Sequence, residues 1–142
     1  GGLLKDIHMA AHLHDIGKMS IPESILNKKE KLLSHEWAQI QKYPEIGYEI
    51  LKKSKGLHKI AEFVLHHRER WDGKGYPHGL KAEEIPIGAR IIGVADAIEA
   101  MTSDRPYRKV MSWEECMEEV SRNSGTQFDP LVVEAVEKLW KK

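Results

Sequence analysis

An all-α fold is predicted for this chain by three observations. Apolar residues recur at helical spacing in several windows, helix-start signals stand just ahead of those windows, and no stretch alternates apolar and polar residues as a half-buried strand does. Leu3, Ile7, Ala10, Ala11 and His14 share the inner stripe of an opening amphipathic helix, with Asp15 one position around from it. Pro22 reads as the first-turn proline of a short helix over PESIL. Ser34 is the expected N-cap of the next helix, whose inward positions are Trp37, Ile40, Ile46 and Ile50, and Pro44 should kink or restart it. A further helix is predicted from about Leu57 to Glu69, with Ile60, Phe63, Val64 and His67 inward and His66 on the flank. The stretch from Trp71 to Pro86 contains Gly73, Gly75, Pro77 and Gly79 and is expected to be a loop. Apolar density returns from Ile87 to Met101, where Gly93, Ala95, Ala97 and Ala100 allow close helix packing. Ser112 with Glu115 is a capping-box signal, and Asp129-Pro130 pairs an N-cap with a first-turn proline for the last helix.

The 142 residues suffice for one domain with a single core, expected to span 1–142. Balanced charge, 22 Lys+Arg against 22 Asp+Glu, removes the usual argument for binding a nucleic-acid polymer. The single cysteine, Cys116, excludes an internal disulfide framework and suits a reducing cytoplasm. No apolar run approaches the roughly 18 residues of a membrane span, and no signal-peptide core is present. Gly1-Gly2 leads straight into a helical pattern without a start signal, so the chain is expected to be part of a longer multidomain protein.

Four elements carry chemistry. His14-Asp15, in the run HDIGK, sets a histidine and a carboxylate at the end of an apolar helical stretch, where burial is costly unless a metal ion or a structural partner satisfies them. Lys18 follows at a distance suited to touching a phosphoryl oxygen. Asp96 stands in the most apolar window, 91–98, and must be metal-bound or paired with an arginine such as Arg90 or Arg105. His67 is an inward imidazole, a ligand or a satisfied core residue, with His66 beside it. The loop WDGKGYP at 71–77 offers glycines for close backbone approach, Lys74 for charge, and Trp71 and Tyr76 as stacking faces, for an anionic nucleotide or a partner, or else it is a structural Ω-loop. His8, His12 and Asp15 lie on one helix face and are a further possible metal clamp, while His35, His58 and His78 read as surface residues.

HDIGK at 14–18, WDGKGYP at 71–77, GVADAIEAMTSDRPYRK at 93–109 and SGTQFDP at 124–130 together resemble the HD-GYP family, a branch of the HD metal-dependent phosphohydrolases. The resemblance spans about residues 4–140. It implies a bacterial, cytoplasmic helical bundle with a Gly-rich GYP loop and a divalent metal centre, commonly iron or manganese, of unspecified nuclearity. The implied reaction is hydrolysis of cyclic di-GMP to pGpG or GMP, in proteins that carry receiver or sensor modules or meet GGDEF-type or receiver-domain partners. By position, His14, Asp15, His67 and Asp96 match metal ligands, with His66 a substitute; Asp15 and Lys18 match catalytic positions. Lys18, Arg105 and Arg108 match positions that face substrate phosphates, and Gly75, Tyr76 and Pro77 the naming motif; Trp71 and Tyr76 are expected to shape guanine recognition, and Arg68, though not a family match, to grip phosphate.

The chain departs from that pattern at two places. The histidine expected before the proline of H-P-x-x-G is Tyr43, and the second histidine of the family's His-His-Glu is Arg68. A ligand-bearing first helix of the family is also expected to be missing. Two further readings therefore stand beside the hydrolase: a degenerate domain that binds nucleotide or a signalling partner without turnover, and a phosphohydrolase acting on another phosphoester.

Overall fold

A computed structural model describes residues 2–104 and 109–140. Among these, the chain forms eight α-helices and two short 3-10 turns, and no strand. The helices are α1 (Gly2–Leu13), α2 (Glu23–Leu26), α3 (Ser34–Gln41), α4 (Tyr43–Lys52), α5 (His58–His66), α6 (Ile87–Thr102), α7 (Trp113–Arg122) and α8 (Pro130–Trp140), with 3-10 turns over Ile16–Ser20 and Ala82–Glu84. No described helix is long and apolar enough to cross a membrane.

Three apolar clusters organise the described residues: a small one of Ile21, Ile25 and Tyr43, and two larger ones that share α6. Of the larger two, the first joins Ala10 of α1, Leu51 of α4, Ile60, Ala61, Phe63 and Val64 of α5, and Ile92 of α6. The second joins Val94 and Met101 of α6 to Cys116 and Val120 of α7, Phe128, and Val133 of α8. A long helix with apolar residues on two faces therefore stitches the two halves together, as expected for a helix apolar on nearly every side. Asp96 projects from this central helix.

Local chemistry accounts for the helix boundaries. Ser112 accepts the Glu115 amide at 3.1 Å while the Glu115 carboxylate accepts the Ser112 amide at 3.1 Å, closing the predicted capping box. Ser112→Ala should lower stability by about 1 kcal/mol, measured by urea unfolding, and no change would mean that the two bonds are matched by solvent. Asp129 caps α8 by accepting the Leu131 amide at 2.9 Å, and its other oxygen accepts from Arg90 at 2.8 Å. Arg90 is thus committed to Asp129 and is not the partner of Asp96.

Some expectations need correction. Leu33, extended at φ −75°, ψ 159°, occupies the N-cap of α3, and Ser34 is already helical. The Glu36 carboxylate accepts the Leu33 amide at 2.8 Å, doing the capping that Ser34 was expected to do. Trp37 and Ile50, predicted inward, are exposed. The helix expected to reach Glu69 ends at His66, because the chain turns there to send Glu69 under the following loop. His66 is buried rather than flanking. The helix does restart at the proline: after the break at Lys42, α4 begins at Tyr43 with Pro44 in its first turn.

Candidate metal centre

His14 and Asp15 stand where α1 gives way to the first 3-10 turn, and that turn is held by Gly17. A β-carbon on Gly17 would lie 1.9 Å from the Tyr43 carbonyl oxygen and 2.8 Å from the Gly47 amide nitrogen, so only glycine lets the turn rest on α4. His14 Nδ1 lies 2.6 Å from the Ala11 carbonyl, which can only accept, so Nδ1 carries the proton. The opposite nitrogen, Nε2, then presents a lone pair to Asp96 Oδ1 at 3.1 Å and to Asp15 Oδ2 at 3.3 Å. A neutral His14 there would set an acceptor against two acceptors, an arrangement relieved either by a second proton on Nε2 or by a cation held among the three.

His67, buried just beyond α5, repeats the arrangement. Its Nδ1 donates to the Val64 carbonyl at 2.6 Å and its Nε2 points at the Tyr43 hydroxyl, 3.0 Å away. The His14 and His67 rings lie edge to face at 5.1 Å. One ligating atom from each of His14, Asp15 and His67 falls within 4.8 Å of the others. Ligand bonds of about 2.0–2.2 Å fit such a spacing around one cation. Backbone carbonyls that fix the tautomer of both histidines are the usual outer support of imidazole ligands. The donor set therefore fits a single divalent ion.

With no cation present, the electrostatics favour the proton: Nε2 of a charged His14 donates to Asp96. Burial opposes the charged form of His14, but the Asp96 hydrogen bond, the Ala11 carbonyl and the nearby carboxylates outweigh it and raise its pKa above 6.5. Burial pushes His67 down to about 4, leaving a neutral imidazole at ordinary pH. Burial also favours protonated Asp96, yet the bond from His14 and the charges of His14, His67 and Arg68 prevail and hold its pKa low. Lys18 Nζ lies 3.1 Å from Asp15 Oδ1 and 5.0 Å from the centre of the Tyr43 ring.

The remaining sequence-derived residues divide. Arg68 and Tyr76 come to the centre: Arg68 Nη1 is 3.4 Å from Asp96 Oδ2, and its Nε donates to the Tyr76 hydroxyl at 3.1 Å. Of the two arginine partners weighed for Asp96, neither was this one. Gly75 keeps Tyr76 in place, since a β-carbon there would lie 2.5 Å from the Arg70 amide nitrogen and 2.6 Å from the Arg68 carbonyl oxygen. Pro77 follows through a cis peptide. Trp71 lies farther along, its ring under the Arg90 guanidinium at 5.9 Å, lining a cleft of about 390 Å³ with His67, Arg68, Lys74 and Tyr76. A second opening, about 370 Å³, exposes His14, Asp15 and Asp96.

His66 does not join His14, Asp15 and His67. It groups instead with Glu69 and His78, its Nδ1 3.1 Å from Glu69 Oε2, because neighbouring residues at the end of a helix point about 100° apart. Glu69, whose side chain is fully buried, accepts the His78 and Leu80 amides at 3.0 Å each and thereby ties down the far side of the GYP loop. Its role and that of His78 were not read from the sequence, though a buried glutamate ahead of a glycine-rich loop is the signal that would have shown it. His8 and His12 stay exposed with their rings edge-on at 4.7 Å. Arg105 and Arg108 lie outside the described residues.

The bundle thus brings together a His-Asp pair leaving one helix, an imidazole just past a second and an aspartate from a third. The family model described as HD domain matches residues 3–132, and the chain belongs to that family. A cyclic di-GMP phosphodiesterase of Thermotoga maritima is 46% identical over 139 residues, covering 96% of this chain and 38% of that protein. The cyclic di-GMP phosphodiesterase response regulator RpfG of Xanthomonas campestris is 42% identical, over 92% of this chain and 35% of its own length. The 3'3'-cGAMP-specific phosphodiesterase 2 of Vibrio cholerae is 43% identical, over 94% and 26% respectively. This chain thus spans well under half the length of these relatives. In fold it is similar to the crystal structure of a cyclic GMP-AMP specific phosphodiesterase of Vibrio cholerae, with a TM-score of 0.72 at 22% identity, over 96% of this chain and 38% of that one.

Proposed function

We propose that this chain is the hydrolase domain of a bacterial metal-dependent phosphodiesterase whose substrate is cyclic di-GMP, opened to pGpG or GMP. The observation that carries the reading is the meeting of His14, Asp15 and His67, one ligating atom of each within 4.8 Å of the others, with His14 Nε2 facing two carboxylates within 3.3 Å. Iron or manganese suits this mixed imidazole and carboxylate set. A cation there supplies Lewis acidity toward water and phosphoryl oxygens. His14, Asp15 and His67 would hold it, with Asp96 Oδ1, 3.1 Å from His14 Nε2, as a further ligand. Asp15, the more exposed carboxylate, is placed to take a proton from the attacking water. Lys18 offsets negative charge on the phosphoryl oxygens as attack proceeds. Arg68 and Tyr76 face a phosphate from the other side, and Trp71 offers a guanine a stacking face in the adjoining cleft. Arg105 and Arg108 are assigned to substrate phosphates by motif position alone. The GYP loop is also the surface for a GGDEF-type or receiver-domain partner, and the cytoplasm the place of action.

The test compares cyclic di-GMP, 3'3'-cGAMP and a generic phosphodiester with protein purified anaerobically and loaded with Fe2+ or Mn2+. Preferential loss of cyclic di-GMP, abolished by chelator, is expected. Equal rates on all three would point to a general phosphohydrolase. The engagement of Asp96 by Arg68 and of His67 by Tyr43 favours one alternative, a domain that binds the nucleotide without turning it over. Cyclic di-GMP binding with no product at any metal loading would establish it.

A further inference from the structure

A second cluster of ligating side chains lies at the base of the GYP loop and shares no residue with His14, Asp15 and His67. One ligating atom from each of His66, Glu69 and His78 falls within 4.8 Å of the others. His66, the last residue of α5, is 6% exposed, the Glu69 side chain is fully buried, and His78 stands at the surface. Folding has already placed the three. The Glu69 carboxylate accepts the His78 and Leu80 amides at 3.0 Å each, and the His66 and His78 rings meet at 5.3 Å with 61° between their planes. His66 Nδ1 and Glu69 Oε2 are 3.1 Å apart, a separation that fits two ligands at about 2.0–2.2 Å from one ion. On its other side, His66 Nε2 faces Glu62 Oε2 at 3.6 Å. A neutral ring has one proton for these two carboxylates. With that proton on Nε2 toward Glu62, the usual outer support of a ligating imidazole, the Nδ1 lone pair faces Glu69 and a cation between them satisfies both. A second ring proton would meet the same need, and metal uptake decides between the two.

We propose that His66, Glu69 and His78 form a zinc site that staples the GYP loop to the end of α5. Two imidazoles and one carboxylate are a donor set that zinc takes with its fourth position left to water, and the exposed His78 gives the ion a way in. Glu62 and Glu69 together carry two negative charges, which a divalent ion offsets. His66 precedes His67 in sequence, and His78 follows Tyr76 by two residues. The ion therefore joins the segment bearing the first centre's imidazole to the loop bearing the tyrosine that meets Arg68. The His78 and Leu80 amides, both held by Glu69, open less often when the ion is bound. The proposal is independent of what the first centre does.

Zinc is the probe, with helix content followed by circular dichroism. Wild type, Asp15→Asn, His78→Gln and the double variant are brought to equal micromolar free Zn2+ by dialysis and analysed for zinc per chain. His78→Gln is expected to lower the content by one ion in both backgrounds, since glutamine keeps the backbone amide bonded to Glu69 and removes the surface imidazole. Equal content in wild type and folded His78→Gln overturns the proposal. If His78→Gln loses helix content, Glu62→Gln takes its place: zinc affinity about tenfold weaker supports the site, and unchanged affinity overturns it. At free Zn2+ about ten times the dissociation constant, the Leu80 amide should exchange its hydrogen about tenfold more slowly in wild type and not in His78→Gln. A bound ion that leaves this exchange unchanged overturns the staple. An Asp15→Asn protein with wild-type zinc content, beside a His78→Gln protein short of one ion, removes the first centre and keeps this one. The reverse pattern removes this one and keeps the first.

Discussion

Asp15→Asn should empty the centre of metal and lower cyclic di-GMP turnover at least about 1,000-fold, a barrier rise of about 4 kcal/mol. Asparagine keeps the size of the side chain but removes the charge that faces His14 Nε2 at 3.3 Å and Lys18 at 3.1 Å. Without that charge Lys18 is left as an uncompensated cation beside the site, which repels a divalent ion. The fold should survive, because Asp15 is roughly half exposed and belongs to none of the apolar clusters. Elemental analysis of wild type and variant purified side by side is the direct measurement. Equal metal content in both would remove the proposed centre, and full turnover with less metal would separate Asp15 from the chemistry.

Gly17→Ala should lower stability by about 3 kcal/mol and the melting temperature by about 10 °C. The two atoms that a new methyl group would strike, the Tyr43 carbonyl and the Gly47 amide, are backbone atoms of α4 and cannot rotate aside. The 3-10 turn must therefore lift off the helix, carrying Asp15 and Lys18 with it, and opening the contact between Gly47, Ile16 and Val64. Metal affinity and stability should fall together in this variant, whereas Asp15→Asn separates them. A wild-type melting curve for Gly17→Ala would show that the turn has a second seat on α4.

Helix content and most helix limits were legible in the residues because they depend on near neighbours. The Ser112–Glu115 box and the Asp129-Pro130 start are each complete within four residues of sequence. The boundary of α3 was misread by one residue because Ser34 has the right hydroxyl, but the Glu36 carboxylate reaches the Leu33 amide instead. The inward phase of His67 was readable for the same local reason. His66 was not, since its burial comes from Glu69 and His78, brought over it when the chain folds back as the GYP loop.

By itself the sequence determined an all-helical HD-type domain, the His14-Asp15 pair, and the two positions, 43 and 68, at which its residues break the family pattern. Tertiary structure alone decided what those two residues do. Tyr43 is 24 positions from His67 and Arg68 is 28 from Asp96, separations across which no periodicity informs. Only the crossing of α4, α5 and α6 sets a hydroxyl against an imidazole lone pair and a guanidinium against a carboxylate. Charge and hydrogen-bond partners are settled by such crossings, because both depend on distances of a few ångströms between residues far apart in the chain.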